Sequence, residues 1–115
     1  MKDKKRIVQE ALVEQGVSTS RVGFNYLTEA ILYQHSKGEE RFFITKELYP
    51  YLAEKFKAVS VGSVERAIRS AILSSFDHYY VDHEMAYGYS NGREHLTNKE
   101  FISFMVYRLE GKLDE

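Results

Sequence analysis

Apolar residues recur along most of this chain at spacings of three and four, which align side chains on one face of an α-helix. In the segment SVERAIRSAI, residues 63–72, the apolar side chains form one stripe, and two arginines and a glutamate occupy the remaining surface. The same period predicts helices over about residues 3–15, 20–36, 45–56 and 61–76, a short helix near 80–86 and a last helix from Thr97 onward. We therefore predict an all-α fold, a compact bundle of roughly five or six helices in a single domain spanning residues 1–115.

Local sequence signals mark where several of these helices begin and end. Gly16 and Gly38 follow apolar helical stretches, and glycine readily takes the left-handed conformation that terminates a helix. The VSTS segment, residues 17–20, offers N-cap side chains for the second helix. Thr97 and Glu100 have the spacing of a capping box, in which each side chain accepts a hydrogen bond from the other residue's backbone N–H. These signals define the expected ends of the first, second and last helices.

The third helix contains a proline close to its start. Thr45 is the expected N-cap, and Pro50 follows about five residues later, where its missing N–H should bend or split the first turn. We therefore expect a short, kinked element.

The helical spacing also predicts which side chains form the core. They are Ile7, Ala11, Leu12, Phe24, Leu27, Ile31, His35, Leu48, Leu52, Phe56, Val64, Ala67, Ile68, Ala71, Ile72, Phe101, Phe104, Met105 and Leu109.

The third and fourth helices have the pattern of a helix-turn-helix. They are separated by KAVS, residues 57–60, and the first of the two carries the small residue Ala53, which lets the second helix approach closely. Val64 comes one residue later than in the common motif, which predicts a longer turn. The motif then spans about residues 45–76, and the polar face of its second helix, about 61–76, can enter a DNA major groove.

The charge balance restricts where a polyanionic partner could bind. The 115 residues include 16 lysines and arginines and 17 aspartates and glutamates, so a nucleic-acid site must be a local basic patch. The sequence has no cysteine, and therefore no disulfide or thiolate ligand. It also has neither an apolar N-terminal run nor a stretch long and apolar enough to span a bilayer. We expect a cytoplasmic protein with no membrane partner.

Signals for catalysis or metal binding are weak. In DHYYVDHE, residues 77–84, His78 and His83 are five residues apart, a poor match to the i, i+4 spacing with which two helical imidazoles share one zinc ion. Serine, histidine and aspartate occur without a nucleophile elbow or a glycine-rich phosphate loop. The tyrosines of this region are more typical of half-buried packing than of base-stacking platforms. We expect no enzymatic activity, no metal site and no cofactor.

Several sequence motifs, distributed over nearly the whole chain, are similar to those of one known family. They occur in the family's order and close to its spacing: YLTEAI (26–31), ITKELYPYLAEKF (44–56), VERAIRSAI (64–72), YGY (87–89) and TNKEFI (97–102). On these segments the chain resembles the C-terminal effector domain of the stage-zero sporulation transcription factor, the master response regulator of endospore-forming bacteria. The resemblance implies an all-helical bundle with an embedded helix-turn-helix.

The resemblance also implies a function. Members of this family bind promoter boxes in double-stranded DNA, with the fourth helix as recognition helix and two domains in tandem on adjacent sites. Glu65 and Arg66 match family positions that read base edges, and Arg69 matches a basic position on the same face. The chemistry agrees, because arginine can donate two hydrogen bonds to guanine and glutamate can accept one from cytosine. The expected function is therefore sequence-specific transcription regulation related to sporulation control.

Two neighbouring positions depart from the family pattern. Ser63 stands where the family usually has arginine, and Ser70 stands where it has histidine. Both lie on the polar part of the predicted recognition helix, so we count them among the candidate base-reading residues and expect them to alter the recognised sequence and the affinity. Lys46, Lys55 and Lys57 are candidate contacts to DNA phosphates.

A second class of function stays open beside DNA binding. The family normally carries an N-terminal receiver domain whose phosphorylated aspartate relieves inhibition of the effector, whereas this chain starts at Met1 and is expected to be a stand-alone effector domain. The alternative function is a protein-interaction module that has lost DNA reading and acts on RNA polymerase or on a receiver-bearing relative. The near-neutral charge favours the alternative, and the retained VERAIR segment, residues 64–69, favours DNA binding.

Overall fold

A computed structural model of the chain describes residues 3–38, 43–77 and 96–114. Within these ranges the structure is helical and contains no strand, which confirms the all-α prediction. The helices are α1 (Lys4–Glu14), α2 (Val22–Lys37), α3 (Tyr49–Lys55), α4 (Val61–Asp77) and α5 (Asn98–Leu113), and a π-helical turn (Ile44–Leu48) directly precedes α3. The short helix predicted near residues 80–86 lies outside the described residues.

The two glycines predicted to end helices do so. Gly16 has a φ of 89°, and its N–H donates to the carbonyl of Val13 at 2.9 Å. The next amide, that of Val17, donates to the carbonyl of Leu12 at 3.0 Å, which completes a Schellman motif at the end of α1. Gly38 ends α2 with a φ of 63°. A positive φ is nearly free of steric cost for glycine, so the sequence encodes both boundaries locally.

The N-cap predicted for the last helix is confirmed, and the one predicted for the second helix is wrong. The Thr97 side chain accepts from the N–H of Glu100 at 3.2 Å, and the Glu100 carboxylate accepts from the N–H of Thr97 at 2.9 Å, which is the expected capping box of α5. For α2, however, the N-cap is Arg21, without a side-chain capping bond. Ser18 and Ser20 bond each other through their hydroxyls at 2.8 Å instead, within the turn that precedes α2.

The expected effect of Pro50 is confirmed, but the predicted N-cap at Thr45 is wrong. The helical segment begins one residue earlier, at Ile44, and Thr45 is exposed inside the π-helical turn. There the N–H of Tyr49 donates to the carbonyl of Ile44, five residues back. Pro50 follows in the first turn of α3. Because proline has no N–H and its ring crowds the carbonyl four residues earlier, a widened π turn connects to α3 in place of one regular helix.

The core forms around α2, which packs against α1, α4 and α5, while α3 packs against α4. Most side chains predicted to face the core are buried. The exceptions are half-buried: Ile7, His35, Phe56 and Ala67. On α1 it is Val8 that is fully buried, one position beyond the predicted Ile7. Among the described helices, none is both long enough and apolar enough to cross a membrane.

A close backbone contact sets the position of α4 on α2. A Cβ atom added to Gly23 would lie 2.3 Å from the carbonyl oxygen of Ala67 and 2.8 Å from the Cβ of Ala71. Any side chain at this position would therefore push the two helices apart. The two helices cross at small residues, Gly23 on α2 and Ala67 and Ala71 on α4. Their close contact fixes the distance between the outer face of α4 and the core.

Candidate nucleic-acid interface

The third and fourth helices form the helix-turn-helix that the sequence predicts. Their connection, residues 56–60, is longer than the common turn of about three to four residues. It begins with a Schellman motif in which the N–H of Lys57 donates to the carbonyl of Glu54 at 3.3 Å and the N–H of Ala58 donates to that of Ala53 at 2.9 Å. Lys57 has a φ of 52°, a conformation that costs a non-glycine residue about 1 kcal/mol or more. The turn is thus held by backbone bonds around a strained lysine.

The first turn of α4 is capped by a pair of serines. The hydroxyl of Ser60 accepts from the N–H of Ser63 at 3.0 Å, and the hydroxyl of Ser63 accepts from the N–H of Ser60 at 3.2 Å. The Ser63 hydroxyl also donates its proton to the carbonyl of Ser60 at 2.7 Å. Ser63, a candidate base-reading residue, therefore stabilises the start of α4, and its hydroxyl can contact a base as a donor only by giving up that bond.

Beyond the capped first turn, the apolar and polar residues of α4 lie on opposite sides of the helix. Arg66, Arg69 and Ser70 are exposed, as the sequence predicts. The guanidinium of Arg66 extends back over Gly62, where an added Cβ atom would lie 3.1 Å from one of its terminal nitrogens. The residues on the opposite side are buried in the core: Val64, Ile68, Ala71 and Ile72. The exposed side of α4 thus carries two arginines on a helix that the core holds in place.

Glu65 and Arg69, both candidates for base contact, are paired with each other. The Nη1 of Arg69 donates to the Oε1 of Glu65 at 2.7 Å, and the side chains are 54% and 32% exposed respectively. An exposed pair of this kind, four residues apart on a helix, contributes only about 0.3–0.5 kcal/mol. The pair orients the arginine but is weak enough to separate when a stronger partner is available.

A buried asparagine ties this part of the helix-turn-helix to the last helix. The side-chain amide of Asn98, at the start of α5, donates to the hydroxyl of Tyr49 at 2.9 Å and to the backbone carbonyl of Glu65 at 3.2 Å. Burial raises the pKa of Tyr49, the hydrogen bond from Asn98 opposes this shift, the negative charge of Glu65 adds to it, and the positive charge of Arg69 opposes it. One side chain therefore links α3, α4 and α5 on the flank where Glu65 lies.

The same flank contains a cleft of about 360 Å³. It is lined by Ile44, Tyr49, Glu65, Arg69, Leu96, Thr97, Asn98 and Lys99. Glu65 and Arg69 thus line this cleft and are also two of the base-reading candidates on α4.

One residue on this surface was not found from the sequence. The Nη1 of Arg21 donates to the hydroxyl of Ser70 at 3.0 Å, so a guanidinium from the start of α2 lies against the exposed side of α4. The two residues are 49 positions apart, and no helical period relates them. The packing of α2 against α4 brings them together.

The three candidate phosphate contacts differ in their surroundings. Lys57, in the turn before α4, is exposed. Lys55 is within 4.0 Å of the carboxylate of Glu29, so part of its charge is already compensated. Lys46 is exposed on the π-helical turn, with its ammonium 5.8 Å from the centre of the Phe43 ring. Of the three, Lys57 is the one that lies in the turn connecting α3 to α4.

The sequence offers only weak candidates for a metal site. His78 and His83 lie outside the described residues. Within residues 3–38, 43–77 and 96–114, no group of three or more histidine, aspartate or glutamate side chains is arranged to hold a metal ion.

A helix-turn-helix whose second helix exposes basic side chains defines a class of nucleic-acid-binding domain. The chain belongs to the family of the C-terminal domain of the sporulation initiation factor Spo0A, because the family model matches residues 8–109 of its 115 residues. This confirms the resemblance found from the sequence motifs. The family is the DNA-binding domain of a sporulation transcription factor.

Proposed function

We propose that this protein binds double-stranded DNA in a sequence-specific manner and regulates transcription related to sporulation control, with α4 in the major groove. The observation that carries the proposal is the exposed side of α4, where Arg66 and Arg69 project from the second helix of a helix-turn-helix. Membership of the Spo0A C-terminal family supports it. A cytoplasmic location follows from this proposal, because the partner is chromosomal DNA.

Arg66 is the principal base-reading residue of the proposal. Its guanidinium is exposed, and it extends back over Gly62, which has no side chain to obstruct it. Arginine can donate two parallel hydrogen bonds to the O6 and N7 atoms of guanine, and such a pair discriminates by about 1–3 kcal/mol against the wrong base. Gly62 therefore keeps the space that Arg66 needs to change its orientation on the DNA.

Glu65 and Arg69 act together in the proposed complex. The weak ion pair between them separates, which frees Arg69 for guanine or phosphate and Glu65 for the amino group of cytosine. Ser63 and Ser70 are the other two candidates for base contact. The hydroxyl of each is already in a hydrogen bond, that of Ser63 with the carbonyl of Ser60 and that of Ser70 with Arg21.

Phosphate contacts orient the domain on the duplex. Lys57 is the best placed of the candidates, since it is exposed and lies in the turn that leads into α4. Lys46 contributes from the π-helical turn, and Lys55 contributes less because Glu29 competes for its ammonium. Two copies in tandem on adjacent sites, with RNA polymerase as a further partner, complete the proposal.

The balance of charge predicts weak non-specific affinity and a shallow dependence of that affinity on salt. The formal net charge is −1, so attraction to DNA depends on the local cations around α4 rather than on the whole surface. Each phosphate neutralised by a lysine or arginine adds about 0.9 to the slope of log affinity against log salt. A small number of such contacts should therefore give a shallow salt slope and a low non-specific affinity.

Selection from a randomised duplex library, followed by fluorescence anisotropy on the enriched sequence, tests the proposal. We expect enrichment of one motif at low salt and tighter binding to it than to a scrambled duplex of the same length. Arg66→Ala should weaken binding to that motif and relax the preference at one base pair. If no motif is enriched at low salt, where backbone attraction is strongest, the proposal is wrong.

Two exposed valines at the turn of the helix-turn-helix support a second candidate function, binding to another protein. Val59, in the turn, is 98% exposed, and Val61, the first residue of α4, is 37% exposed. Adjacent exposed valines suit a protein surface as a partner, such as RNA polymerase or a receiver-bearing relative. Val59→Ser would abolish an interaction of that kind and leave DNA affinity unchanged if the two functions are separate.

A further inference from the structure

The contact between Arg21 and Ser70 places a cation from α2 on the side of α4 that is proposed to face DNA. Ser70 is four residues beyond Arg66, one helical turn further along the same side of α4. Arg21 is exposed, and its guanidinium has five N–H groups. Within the described residues one of them is paired, with the Ser70 hydroxyl. The rest of the guanidinium can therefore bind another group without leaving its position.

We propose that Arg21 is a DNA-binding residue that contacts a backbone phosphate and that Ser70 positions it. This inference rests on the proposed function. It assigns to Ser70 a role in orienting Arg21 rather than a direct contact with a base. A guanidinium held by a hydrogen bond loses less conformational freedom on binding than a free one, so the contact is formed at lower entropic cost.

The location of Arg21 favours a phosphate over a base edge. Recognition helices of this motif read bases mainly with their N-terminal residues, so side chains beside later turns are better placed to contact the sugar-phosphate backbone. Ser70 lies past the first turns of α4 (Val61–Asp77), and Arg21 approaches from a different helix. The guanidinium thus lies at the edge of the surface, where the backbone passes, rather than at the capped start of α4.

The start of α2 provides an independent reason. Arg21 is its N-cap, makes no side-chain capping bond, and no acidic residue occupies the first turn. A cation at the positive end of a helix dipole is unfavourable. A phosphate bound by Arg21 would compensate both the arginine and the positive end of the helix dipole. The arrangement is unfavourable for the free domain and becomes favourable with an anion present.

Anisotropy titrations of the full chain against the selected duplex and a scrambled duplex of equal length, at several salt concentrations, test this role. Arg21→Ala should lower affinity for both duplexes alike, by roughly fivefold at low salt, and reduce the salt slope by about one unit. Arg21→Lys should retain most of the affinity, and Ser70→Ala should cause a smaller loss with an unchanged slope. Arg108→Ala is the matched control, because Arg108 is an exposed arginine beside the cleft between α1 and α5.

The outcomes separate this inference from the proposed function. If the unaltered protein binds neither duplex, the proposed function fails and the role of Arg21 fails with it. If the protein binds and Arg66→Ala relaxes its sequence preference, but Arg21→Ala changes affinity no more than Arg108→Ala does, the inference alone is overturned. A loss confined to the selected duplex would also overturn it, because that result would make Arg21 a base-reading residue. Thermal melts of Arg21→Ala and Ser70→Ala exclude unfolding as the cause of any loss.

Discussion

Replacing Gly23 with alanine tests how α4 is held on α2. The added Cβ atom would lie 2.3 Å from the backbone oxygen of Ala67, and contacts shorter than 3.0 Å are essentially never found for real Cβ atoms. The helices must therefore separate by about 0.7 Å at this point, the difference between the two distances. Because the obstructing atom belongs to the helix backbone, no side-chain rotation can relieve the contact.

The magnitude follows from two opposing effects. Overpacking of a well-packed interface costs about 1–3 kcal/mol, while alanine is favoured over glycine inside a helix by at most about 1 kcal/mol. That gain is smaller at Gly23 because the residue lies in the first turn of α2. We expect the free energy of unfolding to fall by about 1–2 kcal/mol, which would lower Tm by roughly 4–8 °C for each kcal/mol in a domain of about this size.

Urea denaturation of Gly23→Ala, compared with Gly111→Ala, measures the effect. Gly111 lies near the end of α5, is exposed, and an added Cβ atom would have no neighbour within 4 Å. Gly111→Ala should therefore stabilise the protein by up to about 1 kcal/mol through helix propensity alone. If both variants gained stability to the same extent, the close approach of α2 and α4 would be refuted. A weaker preference of Gly23→Ala for the selected duplex would further indicate that this crossing positions the exposed side of α4.

The remaining predictions concern single residues. Ile68→Ala should cost about 2–5 kcal/mol in unfolding free energy because a fully buried side chain is lost, whereas Arg69→Ala should cost far less; thermal melts showing the reverse order would contradict the assigned helix faces. Arg66→Ala should weaken the selected duplex by about 1–3 kcal/mol and relax preference at one base pair, and an equal loss on a scrambled duplex would make it a phosphate contact. Lys57→Gly should weaken all duplexes alike without lowering stability, since glycine relieves the positive φ; a less stable variant would rule out strain at this turn. Thr97→Ala should destabilise the protein by about 0.5–2 kcal/mol through loss of the α5 cap, as denaturation would show, and an unchanged stability would mean that the capping box contributes nothing.

Much of this protein is determined by the sequence alone. The apolar period defines α1, α2, α4 and α5 because a helix aligns residues three and four apart whatever it later packs against. The Schellman motif at Gly16 and the capping box at Thr97 depend on bonds between residues at most five positions apart, so their chemistry can be recognised without the rest of the fold. The cap formed by Ser60 and Ser63 has the same local character and could have been anticipated from the serine spacing. The helix-turn-helix itself followed from the short connection and from Ala53.

Tertiary structure decided how these elements form one surface. No sequence signal shows that Gly23 allows α2 and α4 to approach closely, because its effect depends on a backbone oxygen more than 40 residues away. The contact of Arg21 with Ser70 and the links from Asn98 to Tyr49 and Glu65 likewise join residues distant in the chain. The wrong prediction of serine caps for α2 has a related cause. The sequence shows which residues are able to cap a helix, but tertiary packing decides at which residue the helix begins. Spacing within a helix fixes which side chains share a face, but only the packing of one helix on another fixes what lies beside that face.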